Sequence, residues 1–229
     1  MRIRPYLRRA GLLGLLPLIC LALRSALAGS ATWNLNPINE NWNNPANWTP
    51  NTVPNGPNDV ATFGVSTITA VSLASPVELN SVILNSGASA FTFSIFGGST
   101  LTISGTGITN NSGITQNFVN AGDPASGYGA ITFKGFATAG IQTIFTNNGG
   151  YPATAIGVVT FNDDASAADA TFVGKGGYMY FYDRSTAANA TITVNGDSSA
   201  DIGWSLVSLG SFAAGNATLI ARDGDMFGG

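Results

Sequence analysis

The chain lacks histidine, has a single cysteine, and carries few charges: nine Lys+Arg and twelve Asp+Glu among 229 residues, 9 % in all. Soluble domains usually hold ~25 %. Without histidine there is no Ser-His-Asp or Cys-His nucleophilic site and no His-ligated metal. One cysteine cannot build an intrachain disulfide framework. So few basic residues exclude a nucleic-acid binder, which needs Lys and Arg to neutralise rows of phosphates. What is abundant is glycine, with 29 copies, and hydrophobic residues at 45 %, a composition foreign to charge-rich disordered tails.

The charges are also unevenly placed. Arg2, Arg4, Arg8 and Arg9 open the chain, the apolar run from Gly11 to Leu23 follows, and Ala26-Leu27-Ala28 has the small-x-small pattern of a signal-peptidase site. A basic end, a run of about a dozen apolar residues and A-x-A read together as a secretory signal peptide. The run is short of the ~20 residues a membrane span needs. Cys20 follows Ile19, whereas a lipidated cysteine needs a small residue before it, and Arg8-Arg9 is ordinary in a basic leader.

Cleavage after Ala28 removes five of the nine basic residues and the only cysteine. Lys134, Lys175, Arg184 and Arg222 then face all twelve acidic residues, a mature net charge of −8. Such a chain has no affinity for anionic membranes or nucleic acid. Its stability must come from its core and its backbone hydrogen bonds.

Residues 29–64 are rich in Asn, Pro and Trp. Trp33, Trp42 and Trp48 lie among seven asparagines, and Pro37, Pro45, Pro50, Pro54 and Pro57 exclude a long helix. This segment is expected to form an irregular, aromatic-held cap. From Val65 onward short runs of period two take over, such as Phe91-Thr92-Phe93-Ser94-Ile95 and Leu101-Thr102-Ile103, separated by turns such as Asn85-Ser86-Gly87. These are strands with turn chemistry between them, and predict an all-β protein. Only Ala-rich stretches such as Asp164–Ala170 resemble helix, without caps or a clear 3.6-residue stripe.

The second half repeats itself. Phe133-Lys-Gly-Phe-Ala-Thr-Ala-Gly140, Phe161-Asn-Asp-Asp-Ala-Ser-Ala-Ala168 and Phe181-Tyr-Asp-Arg-Ser-Thr-Ala-Ala188 share a pattern, with a looser copy from Phe212 to Gly224. Gln142, Ala170, Ala190 and Ala217 read as equivalent positions. Repeats of ~20–30 residues, each too small to bury its own apolar face, must stack, as in a β-solenoid. Residues 65–229 would give about seven coils and a rod of roughly 35 Å at ~4.8 Å per coil. A two-sheet sandwich also uses short strands but does not need the repeat.

The residues that carry the repeat also carry a likeness. Ala31-Thr-Trp-Asn, Asn41-Trp42, Ala46-Asn-Trp48, Val53-Pro-Asn and Asp59-Val-Ala-Thr-Phe63, with Ser185-Thr-Ala-Ala-Asn-Ala-Thr-Ile-Thr-Val-Asn-Gly196, resemble bacterial surface proteins with autotransporter-associated β-strand repeats. The resemblance implies a right-handed parallel β-helix passenger outside a Gram-negative-type cell. The family's C-terminal barrel of ~10-residue alternating strands has no counterpart here. The chain stops at Asp225-Met-Phe-Gly-Gly229, within what reads as a repeat, and is expected to be truncated.

Candidate chemistry is sparse. Asp163 and Asp183 share a repeat position, flanked by Asp164 and Arg184. Paired carboxylates suit glycosidic cleavage or Ca²⁺, and Asp after a strand also caps turns through backbone N–H groups. Asp223-Gly-Asp225 lacks the Gly-Gly-x-Gly-x-Asp repetition of calcium rolls. Gly174-Lys175-Gly176-Gly177 fails the phosphate-loop pattern at positions 169 and 176, and Gly203-Trp204-Ser205-Leu206-Val207 fails the nucleophile elbow. The three early tryptophans either close an end of the stack or stack on sugar rings. Tyr178, Tyr180 and Tyr182 form either an exposed aromatic ladder or a packed rung.

The expectation is thus an all-β, right-handed parallel β-helix: signal peptide 1–28, Trp-rich cap 29–64, solenoid repeats 65–229. Its function reads as structural and adhesive, exported to the cell surface or secreted, with no catalytic, cofactor-binding or metal residues. Partners would be extracellular polysaccharide or neighbouring surface proteins, without nucleic acid or a mature membrane span. The alternative is a carbohydrate-active β-helix, a lyase or hydrolase with Asp163 and Asp183 in a cleft, or a carbohydrate-binding surface protein.

Overall fold

A computed structural model describes residues 29–123, 125–149, 156–195, 206–209 and 214–222. The proposed leader, Asp223-Gly-Asp225, Gly203–Ser205 and Phe212 lie outside them. The strands alternate between two sheets. Sheet A holds β1 (Ala31–Trp33), β2 (Trp48–Thr49), β3 (Gly56–Phe63), β5 (Val77–Leu84), β7 (Thr100–Asn110), β9 (Gly129–Phe133), β11 (Gly157–Phe161), β13 (Tyr178–Phe181) and β15 (Leu206–Leu209). Sheet B holds β4 (Ala70–Leu73), β6 (Thr92–Ile95), β8 (Gln116–Ala121), β10 (Thr143–Asn148), β12 (Thr171–Lys175), β14 (Thr191–Asn195) and β16 (Thr218–Arg222). From β3 onward every strand pairs parallel with the strand two places later in the chain. The chain is therefore a β-solenoid of about six turns, close to the seven coils expected.

Each coil has a short third side. In β5 and β7 a bulge after Leu79 and Ile103 lets the strand bend and continue as Ser81–Leu84 and Gly107–Asn110. In later coils that continuation shrinks to single bridges along the column Gly107, Thr138, Ser166 and Thr186. Gly107 has a φ of 98°, and a Cβ there would lie 2.2 Å from the Thr138 backbone nitrogen. Only glycine permits both the conformation and that approach.

Alternation explains the strands. In β11 the pattern places Val159 and Phe161 inside and Val158 and Thr160 outside, and β9 repeats it with Ile131 and Phe133. Stacking then puts like beside like. Phe93, Phe118, Phe145 and Phe172 form one internal ladder with ring centroids 4.7–4.9 Å apart and planes within 17°. Phe133, Phe161 and Phe181 form a second. The Ala-rich stretches are not helical: Ala165, Ala167 and Ala187 are buried in the core along the third side. Among the described residues there is no α-helix, and the single helical turn is the 3-10 segment Pro45–Asn47. No helix there is long and apolar enough to cross a membrane.

The register corrects two sequence alignments. Ile144 pairs with Thr171, so Thr143, not Gln142, lies opposite Ala170. Leu209 pairs with Phe181, so the register of the phenylalanine row continues at Leu209, while Phe212 lies outside the described residues.

The Trp-rich segment is built into the start of the stack. β1 pairs parallel with β3 and antiparallel with β2. The Trp42 N–H donates to the Ser72 carbonyl, and the Ser72 N–H donates to that of Glu40, so β4 is paired on that edge too. Each indole N–H is satisfied, Trp33 by Ile68, Trp42 by Pro54 and Trp48 by Trp42. The asparagines satisfy loop backbone: buried Asn47 accepts from the N–H groups of Ile38 and Asn39 and donates to the Asn41 carbonyl. The segment is less irregular than composition suggested, since β3 falls inside 29–64.

Candidate functional site

Asp163 and Asp183 are brought together as the repeat requires, on exposed turns of adjacent coils where sheet A strands end. Both have left-handed backbones, with φ of 56° and 55°, and Gly135 occupies the same column at 62°. Asp tolerates this region better than most residues. Each carboxylate accepts a backbone N–H from the coil before it: Asp163 from Gly135 at 2.9 Å and Asp183 from Asp163 at 3.1 Å. The two aspartates cap turns, but the turn of the preceding coil instead of their own. Beside them Arg184 makes two bonds to Asp164, 2.7 and 2.6 Å. The guanidinium holds the Asp164 carboxyl below its ordinary range, against a smaller opposing effect of desolvation, and Asp164 in turn raises Arg184.

Gly174–Gly177 forms the end of β12 and the link to β13, where Gly176 bridges Asn148. Trp33, Trp42 and Trp48 are buried against one another and Phe63, at centroid distances of 4.8–6.1 Å. None of these three indole faces is open to a sugar ring, so that reading of them fails.

The tyrosines are not a packed rung. Met179 and Phe181 take the inward positions of β13, and Tyr178, Tyr180 and Tyr182 face outward. Tyr180 and Tyr182 lie 5.7 Å apart with planes 13° apart, and Tyr178 meets Tyr180 edge-on. Burial, then its tyrosine neighbours, push the Tyr180 phenol above its ordinary pKa. The pairing places Tyr180 in one row with Thr160, Thr132 and Thr102 on the three coils before it. This row was missed in the sequence. Its members are 28 to 30 residues apart until Tyr180, which follows after 20, and only the register shows them as neighbours.

Sheet B presents a comparable surface. Its outward positions Thr92, Asn117, Ile144, Thr171, Thr191 and Thr218 form one row and Ser94, Val119, Thr146, Val173, Thr193 and Ile220 the next, with no charged side chain in either. Apart from Asp59 within β3 and Glu78 within β5, charge in the described residues lies at strand ends and turns. Comparison with protein families, with curated proteins and with solved structures finds no match for this chain.

Proposed function

We propose that the chain is an exported surface β-solenoid that works by adhesion and display, not by catalysis, in the manner of the autotransporter passengers its repeats resemble. The observation that carries this reading is the outside of the stack: two sheet faces lined mostly by threonine, serine, asparagine and small apolar side chains, in register from coil to coil, with one tyrosine cluster on sheet A. Such rows offer many weak, near-equivalent contacts, the pattern of an adhesive surface. The Trp-rich segment, paired to the first strands of both sheets, serves as the cap that keeps an open edge from recruiting other chains.

The competing reading, a carbohydrate-active β-helix, draws on the adjacency of Asp163 and Asp183. A glycosidic pair needs one carboxyl kept protonated and both aimed at a shared cleft. Here both lie on exposed turns and accept backbone N–H groups, which supports the non-catalytic reading.

Expression of the chain in a Gram-negative-type host tests it. The expected product begins at Gly29, is labelled by an impermeant amine reagent on intact cells, and increases cell attachment to a polysaccharide-coated surface. An unprocessed product confined to the cytoplasm overturns the export reading. Processed, surface-labelled protein without added attachment overturns the adhesive one.

A further inference from the structure

The row Thr102–Thr132–Thr160–Tyr180, flanked in register by Glu78 and Ser208, carries the only outward-facing tyrosine cluster among the described strands. Strand spacing sets its residues ~4.8 Å apart across four coils, each carrying a hydroxyl. Among the described residues, neither these hydroxyls nor those of Tyr178 and Tyr182 hydrogen-bond to another part of the protein. They retain full capacity to donate and accept. The three tyrosines stand at the end of the threonine shelf, since their row partners toward the start of the chain, Val158 and Thr160, are much smaller.

We infer that this shelf is a binding site for a neutral glycan chain, which lies along the threonine row and packs its sugar rings against Tyr180 and Tyr182. Charge and size select this partner. No side chain of the shelf itself is charged, and the residue that precedes Thr102 in register is the carboxylate Glu78. At its rim Arg184 is neutralised by Asp164, and the turns after β9, β11 and β13 carry one further cation, Lys134, and two further anions, Asp163 and Asp183, so the rim is on balance negative and repels polyanions. The shelf covers roughly 14 Å across four strands and ~13 Å along them. At roughly 200 Å², it is far below the ~800 Å² per partner of a stable protein interface, which excludes a second copy of this chain held here alone. A narrow hydroxyl-rich polymer needs no more, and its apolar ring faces suit aromatic side chains that also carry a polar tip.

The biological setting of this site rests on the surface-display reading, but its test does not. The purified chain would be run in native gels containing a β-1,3-glucan, a β-1,4-glucan, a galactomannan or dextran, and in one containing polygalacturonate. Retardation is expected in at least one neutral gel and not in polygalacturonate. Tyr182→Ala should weaken that retardation about tenfold, while Tyr182→Phe keeps most of it. Tyr182 is 48 % exposed, so both variants should melt as the parent does. Absence of retardation in every neutral gel, equal retardation of Tyr182→Ala and parent, or stronger retention by polygalacturonate each overturns the site. Export and surface labelling would stand or fall separately.

Discussion

Removal of a single ring from the second phenylalanine ladder should uncouple the solenoid locally. Phe161 is fully buried and stacked on both sides, 4.7 Å from Phe133 with planes 5° apart and 4.8 Å from Phe181 at 4°. It also meets Phe172 edge-on at 5.8 Å, across to the other ladder. Phe→Ala in a core costs about 3–5 kcal/mol, depending on how far the site collapses. Coils pinned by hydrogen bonds on both sheets collapse little, and two stacked contacts are lost, each worth about 0.5–1.5 kcal/mol beyond burial. Phe161→Ala should therefore fall near the top of that range, about 5 kcal/mol. Phe136→Ala, at a ring 78 % exposed, should lie within about 0.5 kcal/mol of the parent. Because each coil touches only its neighbours, stability in such a stack is a sum of nearest-neighbour terms. Hydrogen exchange should then show β9 to β14 losing protection while β3 and β5 keep most of theirs. A loss below about 2 kcal/mol by urea titration, or equal loss of protection in every strand, would refute the stacked-ring argument.

Three further outcomes follow from other parts of the stack. Gly107→Ala should be strongly destabilising, because the new Cβ meets backbone of the next coil. Gly87→Ala, at φ 73° with open space around it, should cost only the left-handed penalty of about 1–2 kcal/mol, and equal melting temperatures for the two would contradict the close approach. Asp164 has its folded pKa lowered by Arg184, so its contribution is complete above the unfolded value near 3.9 and is lost as pH falls through the folded one. Acid melting curves should therefore drop more steeply below pH 4 for the parent than for Arg184→Gln, and parallel curves would remove the pair from the account. Deletion of residues 29–55 should expose the first strands of both sheets and yield aggregate or oligomer on size-exclusion chromatography, whereas a soluble monomer of unchanged stability would refute the capping role.

The repeat was legible because stacking imposes it chemically. Phe133, Phe161 and Phe181 must coincide to fill one row, and Asp163 and Asp183 must coincide to close one turn. Period two gave inside and outside for most strands for the same reason. What stayed hidden was the register across unequal coils. The step from Phe133 to Phe161 is longer than that from Phe161 to Phe181, because loop residues are added between strands without disturbing the rows. An alignment by composition therefore put Gln142 where Thr143 belongs and continued the phenylalanine row into Phe212. The threonine row ending at Tyr180 was invisible for the same reason. The tryptophans were read correctly as aromatic-rich but not placed, since burial against Phe63 depends on a pairing between β1 and β3 that no local pattern encodes.

The scarcity of charge also follows from the stack. A side chain in a row sees its copy one coil away at ~4.8 Å, where like charges repel by about 1 kcal/mol even in water. Repeating one charge through six turns would multiply that penalty, so a row can hold a charge only if its neighbour answers it. Two columns of the described turns follow this rule. Asp164 is answered by Arg184 in the next coil. Asp169 is answered by Asn189, whose amide donates to it at 3.0 Å, and Asn189 by Asn216 in turn. Asp163 and Asp183 break the rule as adjacent like charges, and there each carboxylate accepts a backbone N–H from the coil before it. Neutral outer faces are therefore what a stack of this height permits, and partners that bind them must be read by hydroxyl and ring contacts instead of by charge.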